Sequence, residues 1–404
     1  MRDVYETIGG GITAPAGFRA AGIACGIKAN KGLDLAVIAS DGPASAAAVF
    51  TTNVAQAAPV LVSRDHVKAS SGRMSAVVVN SGCANACTGA DGMAHARQMT
   101  ELTARGLSVE PAAVLVASTG VIGVKLPMEH VARGIGEAVR SLSPDGGSPA
   151  ACAIMTTDPF PKESAVEVHA DAGTFRIGGM AKGSGMIEPL MATMLGFVTL
   201  DAGVEPALLQ RALKAACDDT FNAITVDGEC STNDCVFALA NGASGVTLTE
   251  ADYPFLVDAL RQVCEPLAIA IVRGGEGATK LITVRVAGAA SNDEARRAAR
   301  AIANSPLVKT AIHGGDPNWG RLVAVMGRSG SAFSLEHAAV RIGPVELFKD
   351  GTPYDERAPD AAEYLRGTDI EVSVDLGAGG DGTSHMWTCD LTAEYVRINA
   401  EYRT

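Results

Sequence analysis

The chain has 404 residues, 47% of them hydrophobic and 19% charged, with a net charge of −12 and nine cysteines. Such a composition is globular and long enough for two cores or one large one, and its acidic balance argues against a nucleic-acid or anionic-membrane surface, leaving a small molecule as the expected partner. The opening MRDVYETIGG has neither the basic nor the apolar region of a signal peptide, and no apolar run approaches membrane-spanning length, so a soluble cytoplasmic protein is expected.

In chain order, Gly9 to Phe18 is turn chemistry, and the runs Leu33–Ala39 and Ala47–Thr51 alternate as strands do. Val60–Ser63 and Ala76–Val79 read as further strands. The small polar loop Asn80 to Asn85 then opens a helical stretch through Thr103, its asparagines either binding something or capping. Val114–Ala117 is a strand that stops at Ser118-Thr119-Gly120. A hydroxyl-plus-glycine turn presents free backbone N–H groups, as an oxyanion site requires, although a plain turn has the same residues. A helix over Met128–Leu142, a rigid bend at Asp158 to Lys162, and strands at Ala165–His169 and Phe175–Ile177 follow.

The stretch Gly178 to Leu200 stands apart. Lys182 lies among Gly183, Ser184 and Gly185, a turn falls at Pro189, and a β-prone run starts at Met194. The one cation in this small-residue run has few neighbouring side chains to satisfy it, so it reads as a ligand-facing charge. Thr193, preceded by the small Ala192, stands where turn meets strand, and its Oγ could reach the preceding carbonyl as an N→O acyl shift requires. A loop, a turn and an ordinary core strand account for the same residues. Pro206–Cys217 has helical spacing, and Thr220 to Cys235 is dense in Asn, Asp, Ser and Thr, favouring a hydrogen-bonded support for a nearby site. Tyr253–Cys264 reads as a helix and Ile269–Arg273 as a strand. Next comes Gly274 to Lys280, which fails as a phosphate loop because no glycine immediately precedes Lys280. Glu276 among glycines mirrors Lys182, and one cation with one anion suits an amino-acid substrate.

From Ile282 a smaller α/β domain is expected, with a strand from Ile282, a helix over Asn292–Asn304, strands at Val308–His313, Leu322–Met326 and Ile370–Asp375, and an ordered tail from Glu394 to Thr404. The boundaries are 1–281 for the core and 282–404 for this domain. Cys83, Cys87, Cys230 and Cys235 lack the tight pairing of zinc ribbons, so no metal is expected and the odd, scattered cysteines read as reduced core thiols.

Together Gly178–Leu200, Ser118–Gly123, Ile154–Lys162, Thr220–Asn233, Gly274–Lys280, His313–Arg321 and Asn399–Thr404 resemble the glutamate N-acetyltransferase (ornithine acetyltransferase) family, in order and across nearly the whole chain. The resemblance implies an α+β fold, a four-layer αββα sandwich similar to but topologically distinct from the N-terminal-nucleophile hydrolases, with the smaller C-terminal α/β domain. It implies self-cleavage between Ala192 and Thr193 into chains 1–192 and 193–404, usually assembled as a heterotetramer of two each. Thr193 is then the nucleophile, Thr119 and Gly120 the oxyanion positions, and Thr156, Lys182, Thr193, Glu276, Asn399 and Thr404 the substrate-binding positions, with the tail returning to the active site.

The implied reaction, in arginine biosynthesis, moves an acetyl group from N-acetylornithine to glutamate through an acetyl-Thr193 ester, without a cofactor. Some members also accept acetyl-CoA. Here the absence of a phosphate loop and the few Lys or Arg residues beside the motifs make acetylornithine the better expected donor. A self-processing aminopeptidase or amidase, and a non-catalytic amino-acid-binding protein, are the alternatives that the same residues leave open.

Overall fold

The computed structural model describes residues 4–188 and 194–401, in two compact units. One holds the chain through Asn222 together with Glu229–Ile271, and the other Ala223–Gly228 and the chain from Val272.

The first unit contains β1 (Tyr5–Thr7), β2 (Phe18–Ile23), β3 (Leu35–Phe50), α1 (Ala58–Ala69), β4 (Arg73–Asn80), α2 (Gly89–Leu107), β5 (Val114–Ser118), α3 (Met128–Arg140) and α4 (Gly147–Ala153). It continues with β6 (Lys162–Ala170), β7 (Gly173–Lys182), β8 (Leu195–Leu200), β9 (Gly203–Val204), α5 (Pro206–Asp219), β10 (Cys235–Ala240), β11 (Thr247–Leu248) and α6 (Tyr253–Arg273). Strands are ordered β1-β6-β7-β8-β10-β3-β4-β5, with β2 also on β3. The long β3 serves two layers. Its first half pairs with β2 and β4, its second half with β10, and the β3–β4 register shifts between Ala39 and Ala44, around Asp41-Gly42-Pro43.

Side-chain alternation then builds the layers, because successive residues of a strand face opposite ways. Ile38, Val77, Val79 and Leu115 share a core with Met180, Leu195, Phe197, Phe237 and Leu239, so two β layers pack face to face. Their neighbours Val37, Val78, Val114 and Val116 instead meet Ala96, Met99, Val131 and Ile135 of α2 and α3. On the far side Gly179 leaves room for Val263 and Leu267 of α6. Gln210 of α5 exchanges two hydrogen bonds, both 3.0 Å, with the Ala48 backbone of β3. The result is the expected α+β class in four layers, α-β-β-α.

The second unit contains β12 (Leu281–Ala289), α7 (Asn292–Ala303), α8 (Pro306–Gly314), α9 (Trp319–Arg328), β13 (Ala339–Ile342), β14 (Val345–Lys349), β15 (Thr352–Pro353), α10 (Ala358–Tyr364), β16 (Asp369–Asp375), β17 (Gly382–Cys389) and α11 (Ala393–Glu401). Its sheet is ordered β15-β14-β13-β16-β12-β17. Val284, Val286, Val372 and Met386 pack against Ala295, Ala299, Ile302, Leu322 and Met326, giving the smaller α/β body its own core.

Four expected strands are helical. Val60–Ser63 lies in α1, Ile269–Arg273 ends α6, Val308–His313 is in α8 and Leu322–Met326 in α9. Short runs rich in Val, Ile and Leu do not distinguish a strand from a buried helix turn, and the deciding signals lie outside them. Pro59 and Pro306 sit in the first turns of their helices, and the side chains of Ser305 and Asn318 cap α8 and α9. Val263, Leu267, Ala268 and Ile271 are buried at helical spacing, so α6 continues through Pro266. All nine cysteines are free, and six of them are buried. Among the described residues the only group of potential metal ligands within reach of one another is Glu6, Glu167 and His169, with no cysteine.

The helical reading of residues 58–69 has a use. β5 ends the strand order, and Ser63 Oγ of α1 donates to Val116 O at 2.7 Å and accepts from Val116 N at 2.8 Å, closing that buried edge. Ser63→Ala should strand both groups and lower stability by about 1–3 kcal/mol. A urea unfolding midpoint equal to wild type would show that the edge is satisfied another way.

Candidate active site

Ser118 ends β5, and the turn that follows is built from inside the fold. Ser118 Oγ donates to Asn80 Oδ1 at 2.6 Å, and Asn80 Nδ2 donates to Cys83 O at 2.8 Å. Asn233 Nδ2 donates to both Ala84 O and Ser118 O, at 2.6 and 2.9 Å. Asn80, Asn85 and Asn233 are thus buried braces rather than ligand groups. The polar run Thr220 to Cys235 does act as a hydrogen-bonded support here through Asn233 and its neighbour Thr232, whose hydroxyl donates to Asn233 Oδ1 at 2.6 Å. Residues 223–228 of the same run belong to the second unit.

On this frame Gly120 adopts φ +123°, and a methyl group there would come within 2.4 Å of the Gly82 carbonyl carbon. Only glycine fits both the dihedral and the close approach. The Thr119 N–H is spent on Asn80 O at 3.0 Å, whereas the Gly120 N–H donates to no described residue. Lys182, at the end of β7 and 8% exposed, donates from Nζ to Thr119 Oγ1 at 3.1 Å. A hydroxyl that accepts from an ammonium keeps its own proton to donate, and the charge strengthens that donation. Lys182 makes no ion pair among the described residues.

Beneath these groups lies Asp158, buried. Its Oδ1 accepts from Lys162 Nζ at 2.6 Å and Gly183 N at 2.7 Å, and its Oδ2 accepts from Thr156 N at 3.0 Å. Burial alone would raise its pKa, but the Lys182 and Lys162 ammonium groups and the Thr156 N–H together hold it below the usual carboxylate range. Asp158 fixes both the Thr156 backbone and the glycine run after Lys182, so it is a site residue that sequence reasoning missed. An Asp four residues before a Lys looks like a surface pair, and only burial, which the sequence does not display, makes it structural.

Thr119, Gly120 and Lys182 are therefore brought together in the first unit, with Thr156 joined to them through Asp158. Thr193, Ala192 and Thr404 lie outside the described residues. The described chain resumes at Met194, and Leu195 pairs with Lys182 in the antiparallel β7–β8 register.

In the second unit Glu276, 6% exposed, accepts from Asn399 Nδ2 of α11 at 2.8 Å. The loop carrying Glu276 is held from two sides. Asp390 accepts from Thr279 N, Lys280 N and His313 Nδ1 at 2.8–2.9 Å, and the Thr392 hydroxyl donates to Gly277 O at 2.8 Å. Gly277 has φ +69°, and a methyl group there would stand 2.5 Å from Tyr395 N, so the start of α11 rests directly on the loop. Lys280 is turned to internal carbonyls, those of Ile312 and Leu365, consistent with the failed phosphate-loop match. Asp390 and Thr392 were also missed, since nothing in Cys-Asp-Leu-Thr announces that it clasps a loop 110 residues earlier.

The whole chain is similar to known proteins of one family. A sequence model of the ArgJ family matches residues 19–404. The "Arginine biosynthesis bifunctional protein ArgJ" of Symbiobacterium thermophilum is 50% identical over 406 residues, covering 99% of this chain and all of that protein. The Synechococcus protein of the same name is 49% identical over 416 residues, covering all of both. A crystal structure of the Bacillus halodurans protein of that name is similar with a TM-score of 0.50 at 47% identity, covering 52% of this chain and 100% of the solved one.

Asp158→Asn should leave the buried Lys162 ammonium without a counter-charge and cost about 3–5 kcal/mol. The sign with pH follows from the lowered carboxyl. Its contribution is full above the unfolded-state carboxylate value of about 3.9 and fades only as the pH falls through the lower folded-state value. Wild type and Asp158→Asn compared by denaturant unfolding should differ most near neutrality and converge in strong acid. An equal difference at pH 7 and pH 2 would show that Asp158 does not carry this charge.

Proposed function

The chain belongs to the ArgJ family and is an acyltransferase of arginine biosynthesis; we propose that it transfers the acetyl group of N2-acetyl-L-ornithine to L-glutamate. The observation that carries this reading is the meeting of Lys182 Nζ and Thr119 Oγ1 at 3.1 Å beside the uncommitted Gly120 N–H. A turn with two donors and a buried, unpaired cation is suited to stabilise an oxyanion and to hold a carboxylate.

In the precursor Thr193 Oγ attacks the Ala192 carbonyl and the C–N bond breaks, freeing the Thr193 amine and leaving an Ala192 ester on Oγ; water then hydrolyses that ester, releasing the Ala192 carboxylate and the Thr193 hydroxyl. An α-amine titrates near ~7.7–8.0, so it can take the proton of its own hydroxyl at neutral pH. Thr193 Oγ then attacks the acetyl carbonyl of acetylornithine, with the oxyanion held by Thr119 Oγ1 and the Gly120 N–H. Collapse breaks the amide, and the Thr193 ammonium returns its proton to the leaving ornithine amine. The amine of glutamate attacks the acetyl-Thr193 ester by the reverse sequence, giving N-acetylglutamate. Lys182 takes the α-carboxylate and Glu276 an amino group, with Thr156, Asn399 and Thr404 as further substrate contacts. The enzyme works in the cytoplasm as chains 1–192 and 193–404, two of each.

Support for the cut comes from a ratio. Cleavage before Thr193 leaves 404 − 192 = 212 residues in the second chain, about 52% of the whole, and the solved Bacillus halodurans chain is covered fully by 52% of this one. The word "bifunctional" in the names of the relatives favours a second activity, which this reading assigns to acetyl-CoA as a weaker donor.

Purified protein should run as two chains under denaturing conditions, the larger beginning Thr-Met-Leu-Gly, and Thr193→Ala should remain a single inactive chain. Incubation with acetylornithine alone should add one acetyl group to the larger chain by mass spectrometry, faster than acetyl-CoA does. A full-length chain in active enzyme would sink the self-processing step, and labelling by neither donor would return the hydrolase or binding-protein reading.

A further inference from the structure

Three lysines border the first unit's site, and only one of them lies within ion-pair distance of a carboxylate among the described residues. Lys162 takes Asp158. Lys182 donates to Thr119 Oγ1 alone. Lys28, half-buried, donates from Nζ to Leu33 O at 2.6 Å and forms no ion pair among the described residues. Its position is fixed from behind. Asp34, fully buried, accepts from four consecutive backbone N–H groups, those of Cys25, Gly26, Ile27 and Lys28, at 2.6–3.0 Å. That carboxylate is occupied by the backbone and is not within ion-pair distance of the Lys28 ammonium.

The stem of Lys28 lies on Gly82, where a methyl group would meet its Cγ at 3.0 Å, and Gly82 is the residue on which Gly120 rests at 2.4 Å by the same measure. Lys28 is therefore one glycine removed from the oxyanion turn. Its charged surroundings are Asp34, Asp158 and Lys182, and burial pulls it below the ordinary lysine value despite the two carboxylates. A half-buried ammonium with unused donors and no ion pair, beside a second such ammonium, favours an anionic ligand group.

We infer that Lys28 is a second anion subsite that binds the side-chain carboxylate of the acceptor. The inference rests on the acetyl-transfer reading above. In that reaction donor and acceptor differ at one end: acetylornithine ends in an ammonium and glutamate in a carboxylate. Both carry the α-carboxylate, which one lysine satisfies. A second cation therefore serves the glutamate half-reaction and gives no advantage to the donor, making Lys28 a residue of acceptor specificity.

The experiment separates the half-reactions in the processed enzyme. Wild type, Lys28→Met and Lys28→Arg are first acetylated with acetylornithine, following the ornithine burst. They are then discharged with glutamate or with glutamine, the neutral analogue. Lys28→Met keeps the stem on Gly82 without the charge. It should acetylate within twofold of wild type but lose tenfold or more in kcat/KM for glutamate and little for glutamine. Lys28→Arg should retain much of the preference. Equal losses for glutamate and glutamine, unchanged discharge by glutamate, or a defect confined to acylation by acetyl-CoA would each overturn the inference. Wild-type enzyme that gives no burst would remove the acetyl-transfer reading itself, and Lys28's role with it.

Discussion

The Asp158–Lys162 pair is the constraint on which the first unit's site depends. Both side chains are fully shielded from solvent, so neither charge can relax toward water if the other is lost. The remaining capacity of the carboxylate is spent on the N–H groups of Thr156 and Gly183. One side chain thus ties the bend before β6 to the glycine run after β7. Lys182, at the junction of that run, gains a defined position without an ion pair of its own. Asp158 thus positions Lys182 through the adjoining Gly183 backbone rather than by a direct hydrogen bond to its ammonium.

The second unit solves the corresponding problem for an anion. Glu276 is buried beside an amide donor, Asn399, rather than a lysine or arginine, and its loop is positioned by Asp390 and Thr392 through backbone groups. In both units glycine permits the contact that matters: Gly120 against Gly82, and Gly277 against the start of α11. At each place the dihedral and the space exclude a side chain, so packing of main chain on main chain sets the geometry that the polar groups then use.

Backbone-determined features were the legible ones. Ser118-Thr119-Gly120, the glycines around Lys182 and Glu276, and the Asn and Thr residues before Cys235 advertise themselves because turns and buried polar braces demand particular residue types. The four-layer arrangement and the roles of single residues came from resemblance to a family, since periodicity alone reaches mixed α+β and no further. Four apolar runs resemble strands in sequence because Val and Ile fill buried helices and strands alike, while the Pro and Ser or Asn signals that settle three of them sit at their edges. Asp158, Asp390 and Lys28 were illegible for a different reason. Each is an ordinary charged residue in sequence, and what distinguishes them is burial and the identity of partners, which only the folded chain displays.

The topology also explains how an enzyme of this design could survive cutting its own backbone. Chain 1–192 would contribute β1 to β7 and chain 193–404 would contribute β8 and β10. β8 lies between β7 and β10, and β10 in turn pairs with β3 over Cys235–Ala240. Strands of the second chain are therefore enclosed on both sides by strands of the first. Separation would break two ladders and expose Leu195, Phe197, Phe237 and Leu239, each 2% exposed or less, at about 1.5–3 kcal/mol for each such side chain. Leu195, two residues after the proposed cut, pairs with Lys182 in the same sheet. A second chain beginning at residue 193 would enter a buried central strand within two residues, and the first residue of that strand is in register with Lys182, whereas chain ends usually lie away from such anchors.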